Sequence, residues 1–139
     1  MPRRDLYHYQ VREALEKDGW VITSDPLDLS TGGVELYADL GTDRVLAAER
    51  GEEKIAVEIK SFSEGQSPVS EFHKASGQFD SYKFVLEEKE PDREVFLAIP
   101  LYVWEDFFQR PLIQRIVHEK PLRIIVVDIS TKTIALWIR

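Results

Sequence analysis

Two side chains of opposite charge stand two residues apart inside an apolar run, Lys54-Ile55-Ala56-Val57-Glu58-Ile59-Lys60-Ser61-Phe62. A strand sends alternate side chains to opposite faces, so Glu58 and Lys60 share a face with Ala56 while Ile55, Val57 and Ile59 point the other way. A carboxylate and an ammonium at the half-buried centre of a sheet are costly unless paired or bound, which marks them as a candidate site. Glu-x-Lys also occurs at Glu52/Lys54 and Glu87/Lys89, but those pairs lie in charged turns that read as solvated surface. The plainer reading of Glu58 and Lys60 is a salt-bridged pair on a solvent-facing strand.

Upstream, Asp39 stands in Tyr37-Ala38-Asp39-Leu40-Gly41, at the end of an expected extended run. A strand, a turn at Gly51 and a return strand separate it from Glu58, so a hairpin can bring both carboxylates to one end of a sheet. Two carboxylates that close raise each other's pKa unless a cation sits between them. Oxygen ligands without Cys favour Mg²⁺ or Mn²⁺ over Zn²⁺. The expected ligand set is Asp39, Glu58 and the backbone carbonyl of Ile59, with Lys60 placed to orient an attacking water or neutralise a phosphate. Gln78 and Tyr82, four apart on one helix face, could bind a phosphate oxygen or order a metal-bound water. Taken singly, Asp39 reads as a turn acid before Gly41, Gln78 as a surface amide and Tyr82 as a core residue.

The elements that must position these groups follow from periodicity and breakers. A helix is expected over 5–18, with Leu6, Val11, Ala14 and Leu15 as its apolar stripe and Gly19 as its stop. Extended runs are expected over 20–23, 34–40, 44–50 and 54–62, with Asp25-Pro26 and Ser30-Thr31-Gly32-Gly33 marking a loop before the second and Gly51 a turn before the last. Phe72, Ala75, Phe79, Tyr82, Val85 and Leu86 recur at helical spacing and predict a long helix over 70–88, capped by Ser67 or Ser70. A strand over 94–99, short helices over 102–108 and 112–119, and a hairpin from 122–127 and 133–138 complete the chain. That order predicts an α/β or mixed α+β fold with a central sheet.

With 139 residues, 43% of them hydrophobic, the chain fits one domain, 1–139. It has no Cys and no apolar run of membrane-span length, which predicts a cytoplasmic protein outside the membrane. The net charge of −7 bears on any nucleic-acid partner, because phosphate binding draws on local cations. Arg3, Arg4, Arg110, Arg115, His118, Lys120 and Arg123 are the basic candidates, and each also reads as ordinary surface charge.

Asp39, Glu58-x-Lys60 and Gln78-x-x-x-Tyr82, in the order strand, strand, helix, resemble the PD-(D/E)xK nuclease superfamily and its RecB-like branch, with Ala38 where that pattern has Pro. Runs such as Asp5-Leu6-Tyr7-His8, Asp18-Gly19-Trp20, Ser70-Glu71-Phe72-His73 and Leu97-Ala98-Ile99-Pro100 extend a likeness to the XisH family over nearly the whole chain. That family is named for a factor controlling excision of the fdxN element, a DNA rearrangement in cyanobacteria. The resemblance implies a restriction endonuclease-like core with a mixed sheet flanked by helices and a C-terminal hairpin. It implies Mg²⁺-dependent cleavage of DNA, with Asp39, Glu58, Lys60, Gln78 and Tyr82 in the catalytic positions. It also implies partnership with a XisI-type protein and a site-specific recombinase, with a non-catalytic control subunit in that assembly as the alternative to a nuclease. One of His8 and Glu13 could join the site from the first helix, and Glu49 could lie just behind Glu58. Trp104 and Phe107 are read as exposed aromatics that could mediate a homodimer.

Overall fold

The computed structural model describes residues 5–39, 44–63, 65 and 67–139, with the side chains of 38 and 39 outside that description. Helix α1 (His8–Lys17) buries Val11, Ala14 and Leu15 on one stripe. It stops where Gly19 turns to a φ of 91°, a conformation that suits a residue without Cβ. Strand β1 (Val21–Ser24) follows, and then the short ribbon β2 (Ser30–Thr31) and β3 (Val34–Glu35). Gly32 and Gly33, both at positive φ, make its two-residue turn.

Of the expected extended run over 34–40, only Val34–Glu35 is a strand and Leu36–Asp39 is helical, while Leu40 lies outside the described residues. After Glu35 the chain winds into α2 (Leu36–Asp39), with Leu36 drawn into the core and the Glu35 side chain accepting the Tyr37 N–H at 3.2 Å. A short acceptor at the head of the turn satisfies a backbone donor that a strand would have spent on a neighbour.

The hairpin of β4 (Val45–Arg50) and β5 (Glu53–Ile59) turns at Gly51 as its spacing predicts. Helix α3 (Pro68–Lys89) is capped by Ser67, whose hydroxyl accepts from Ser70 N at 3.3 Å. It leads to β6 (Arg93–Pro100), then α4 (Leu101–Glu105), a 3₁₀ turn at Phe107–Gln109 and α5 (Pro111–Glu119). The expected helix over 102–108 is therefore two pieces. The hairpin β7 (Ile124–Asp128) and β8 (Thr133–Ile138) closes the fold.

Among the described residues, one mixed sheet runs β1-β4-β5-β6-β7-β8. The inner pairs β5/β6 and β6/β7 are parallel and the other pairs antiparallel. Register slips between Ile22 and Ser24 at one margin and between Val126 and Val127 near the other, while the β4-β5-β6 ladders are unbroken. Helices α3, α4 and α5 cover one face, where Phe72, Phe79, Tyr82, Phe108 and Ile113 pack on Val45, Ala56, Leu97 and Val126. Helix α1 covers the other, where Val11, Leu15 and Trp20 pack on Leu46, Val57, Ile59 and Ala98. Strands covered on both faces must be apolar nearly throughout, which is why β6 and β7 read as continuous hydrophobic runs.

Candidate functional site

Glu58 stands near the end of the central strand β5, directly opposite Val45 of β4 and Leu97 of β6. Directly opposed residues share a face, so its carboxylate lies on the α3 side of the sheet with Ala56. It is 0% exposed, and Lys60 is 4% exposed. The solvent-facing placement allowed by the sequence is thus excluded. The strand ends one residue before Lys60, short of the expected limit at Phe62, although the Lys60 N–H still donates to Ala98 O at 3.0 Å. Lys60 therefore keeps the direction that strand parity gives it.

The chain then leaves the sheet sharply. Phe62 adopts a φ of 53°, a left-handed conformation that costs an aromatic residue about 1–2 kcal/mol. Its ring meets Phe107 and Phe108 at centroid distances of 5.9 and 5.5 Å, and such contacts offset the strain. On the α1 side, the Ser61 N–H donates to Asp5 Oδ2 and the Tyr7 N–H to Asp5 Oδ1, both at 2.9 Å. One carboxylate thus ties the start of α1 to the strand end that carries Lys60.

Tyr82 is buried in the same core as Ala56 and Leu97, so α3 brings it to the face of Glu58. Gln78 lies one turn earlier and is half-buried, and its Oε1 is enclosed without a hydrogen-bond donor among the described residues. Because α3 runs from the end of β5 back to the start of β6, Gln78 is nearer than Tyr82 to the Lys60 end. Asp39 closes α2 rather than an extended run, and its side chain lies outside the described residues. Helix α2 is docked beside Glu58's strand partner through Tyr37, whose hydroxyl donates to Leu27 O at 2.8 Å and accepts from Val45 N at 3.3 Å. Burial pushes the Tyr37 phenol well above its ordinary pKa.

Three residues that the sequence offers only as candidate neighbours are placed elsewhere. Glu49 sits opposite Lys54, toward the far end of the hairpin, and pairs with Arg93 at 3.0 Å. Glu13 is exposed and pairs with Lys17 at 3.4 Å. His8 is buried, but Nε2 meets Asp25 Oδ2 at 2.7 Å on the α1 side of the sheet. Asp25 also takes Arg12 at 2.9 Å and faces Arg44 at 3.7 Å. In the sequence Asp25-Pro26 reads only as a loop signal, and nothing local to it marks this cluster. Phe107 is buried and Trp104 packs against the core, so neither is the exposed aromatic that the homodimer reading needed. Helical spacing turns both inward, toward Phe72 and Phe108.

The donor set at the strand end consists of hard oxygens, the Glu58 carboxylate and the Ile59 carbonyl, and its chemistry suits Mg²⁺ or Mn²⁺. Among the described residues no three His, Asp or Glu side chains group as a metal-holding set. No helix among them is long and apolar enough to cross a membrane.

Fold and site together define a mixed α/β protein that encloses an acid and a base at the end of a central strand. A family model described as XisH protein matches residues 1–135. The chain is similar to the crystal structure of a fdxN element excision controlling factor protein from Anabaena variabilis, at 44% identity and a TM-score of 0.89. It is similar also to an XisH family protein from Nostoc punctiforme PCC 73102, at 44% identity and a TM-score of 0.88. Each alignment covers 96% of this chain and 98% of the other. No curated protein matches the chain. The chain belongs to the XisH family.

Proposed function

We propose that the protein acts on DNA in the controlled excision of a genomic element, as a metal-dependent endonuclease of the PD-(D/E)xK type. The observation that carries this reading is the enclosure of Glu58 and Lys60 on one face at the end of a central strand. Burying two ionisable groups there works against stability, so a chemical use is the economical explanation. The excision controlling factor among its solved relatives supplies the biological setting.

Asp39, Glu58 and the carbonyl of Ile59 would hold Mg²⁺ or Mn²⁺, which when bound polarises a phosphate oxygen and lowers the pKa of a coordinated water. Lys60 supplies a fixed positive charge where a phosphodiester brings negative charge. Gln78 offers its enclosed amide oxygen to a water, and Tyr82 holds α3 over the site. The apolar wall of α3 keeps bulk solvent from screening these charges.

Calorimetric titration with Mn²⁺, followed by plasmid nicking with Mg²⁺, tests the proposal. Wild type should bind the metal and nick. Glu58→Gln should lose both with its circular dichroism unchanged, and Lys60→Met should bind metal without nicking. Metal binding unaffected by Glu58→Gln would remove the site.

A second reading is favoured by charge. The net charge is −7, and Arg115, Lys120 and Arg123 engage Glu119, Asp80 and Glu94 at 2.9, 2.7 and 3.5 Å. In this reading the protein is a non-catalytic control subunit, itself a homodimer, that assists a site-specific recombinase together with a XisI-type protein. Recovery of those partners by a nicking-inactive protein, and a doubled mass in solution, are its expected outcomes.

A further inference from the structure

Helix α4, which follows β6 directly, the residue before α1, the end of β7 and the β7–β8 turn surround a recess of about 460 Å³. Tyr7, Leu101, Tyr102, Glu105, Asp128 and Ile129 line it, while Glu58 and Lys60 do not. Ligands of open α/β sheets gather at the carboxyl ends of parallel strands, and β6 and β7 are such a pair. The Tyr7 and Tyr102 hydroxyls approach to 3.3 Å, and Tyr102 is 53% exposed, so a large aromatic surface is presented to solvent.

Among the described residues, the charges that line the recess have one sign. Glu105 is exposed. Asp128 Oδ1 accepts from the Ser130 N–H at 3.0 Å, the Ser130 hydroxyl at 2.7 Å and the Thr131 N–H at 3.3 Å. These bonds, led by the Ser130 hydroxyl, hold its carboxyl below the usual range. No Lys or Arg lines the recess among the described residues. Two carboxylates repel the phosphates that any nucleotide would bring. Aromatic faces beside carboxylates attract a cation, above all a planar guanidinium that can stack and hydrogen-bond at once. The partly solvated walls suit a side chain projecting from another protein better than a free metabolite, which sites usually enclose.

We infer that this recess receives an arginine side chain of a protein partner, its guanidinium against Tyr7 and Tyr102 and its N–H groups on Glu105 and Asp128. The inference stands apart from catalysis at Glu58.

The probe is Nα-acetyl-arginine methylamide, titrated against the full chain and followed by ¹H–¹⁵N spectra, with the citrulline analogue as its neutral match. Saturable shifts should centre on Tyr7, Tyr102 and 128–130, with citrulline at least about tenfold weaker. Asp128→Asn keeps the turn-forming oxygen but removes the charge, and should weaken arginine by about two- to fivefold; Glu105→Gln should act in the same direction. The dispersion of each variant's spectrum reports its fold. Equal binding of citrulline, or unchanged affinity in both variants, would overturn the inference. So would preference for cytidine monophosphate. Tighter binding after Arg3→Ala and Arg4→Ala would assign the recess to the chain's own arginines and overturn it as well.

Discussion

Replacing Asp5 with alanine tests whether the head of α1 holds the strand end that presents Lys60. The Asp5 carboxylate receives two backbone N–H groups, from Tyr7 within its own turn and from Ser61 beyond β5. Ser61 is buried, so its N–H would be left without a partner and costs about 2 kcal/mol, in the range for a bond to a charged acceptor. The Tyr7 bond closes a local turn, and its loss costs about 1 kcal/mol, as for other caps. The sum is about 3 kcal/mol, a sizeable share of the roughly 5–15 kcal/mol that stabilises a domain. With a urea slope of about 2 kcal/mol per molar, the unfolding midpoint should fall by about 1.5 M. Asp5→Asn keeps one acceptor oxygen and should lose about half as much. Hydrogen exchange at Ser61 should accelerate more than at Val11 in the middle of α1. A midpoint shift for Asp5→Ala under about 0.3 M would refute the tether.

Arg93 is 7% exposed and donates to Ile55 O and Ala48 O while pairing with Glu49 and Glu90. Arg93→Met should destabilise by about 3–4 kcal/mol in urea unfolding, and Arg93→Lys should recover only part because an ammonium cannot span all four partners. At acid pH, Asp28 should titrate near 2, since the Ser30 hydroxyl, the Ser30 N–H and Lys89 all favour its ionised form. Its folded pKa lies below the ordinary 3.8, so the unfolded chain binds the proton more readily. The contribution is therefore complete above about pH 4 and is lost as pH falls through 2. A carboxyl titration by NMR locates the midpoint, and Asp28→Asn should remove this part of the acid limb.

Much of this was legible in the sequence because periodicity reports burial. The alternation through β5 assigned Glu58 and Lys60 to one face, the stripe from Phe72 to Leu86 marked α3, and Gly51 marked the hairpin. Chemistry that rests on distant partners was not legible. Asp5 looked like the first residue of a helix, and nothing nearby announces its bond to Ser61, 56 positions away. Asp25 looked like a turn residue because His8, Arg12 and Arg44 reach it from other elements. The segment Leu36–Asp39 misled for the opposite reason. Its local pattern fits a strand, but a neighbouring strand was needed to make it one, and the core drew Leu36 into a helical turn instead. Phe107 is read from sequence as exposed, although the turn after α4 directs it toward Phe62 and Phe72.

The uneven distribution of register slips has an evolutionary consequence. Both lie near the margins of the sheet, in β1/β4 and β7/β8, whereas the ladders flanking β5 run without interruption. A residue gained or lost inside β5 would turn Val57 or Ile59 toward α3 and send Glu58 to the α1 side. The lineage can therefore experiment with chain length at the rim of the sheet, where a bulge absorbs the change. At its centre, a one-residue insertion or deletion would erase the acid and base together.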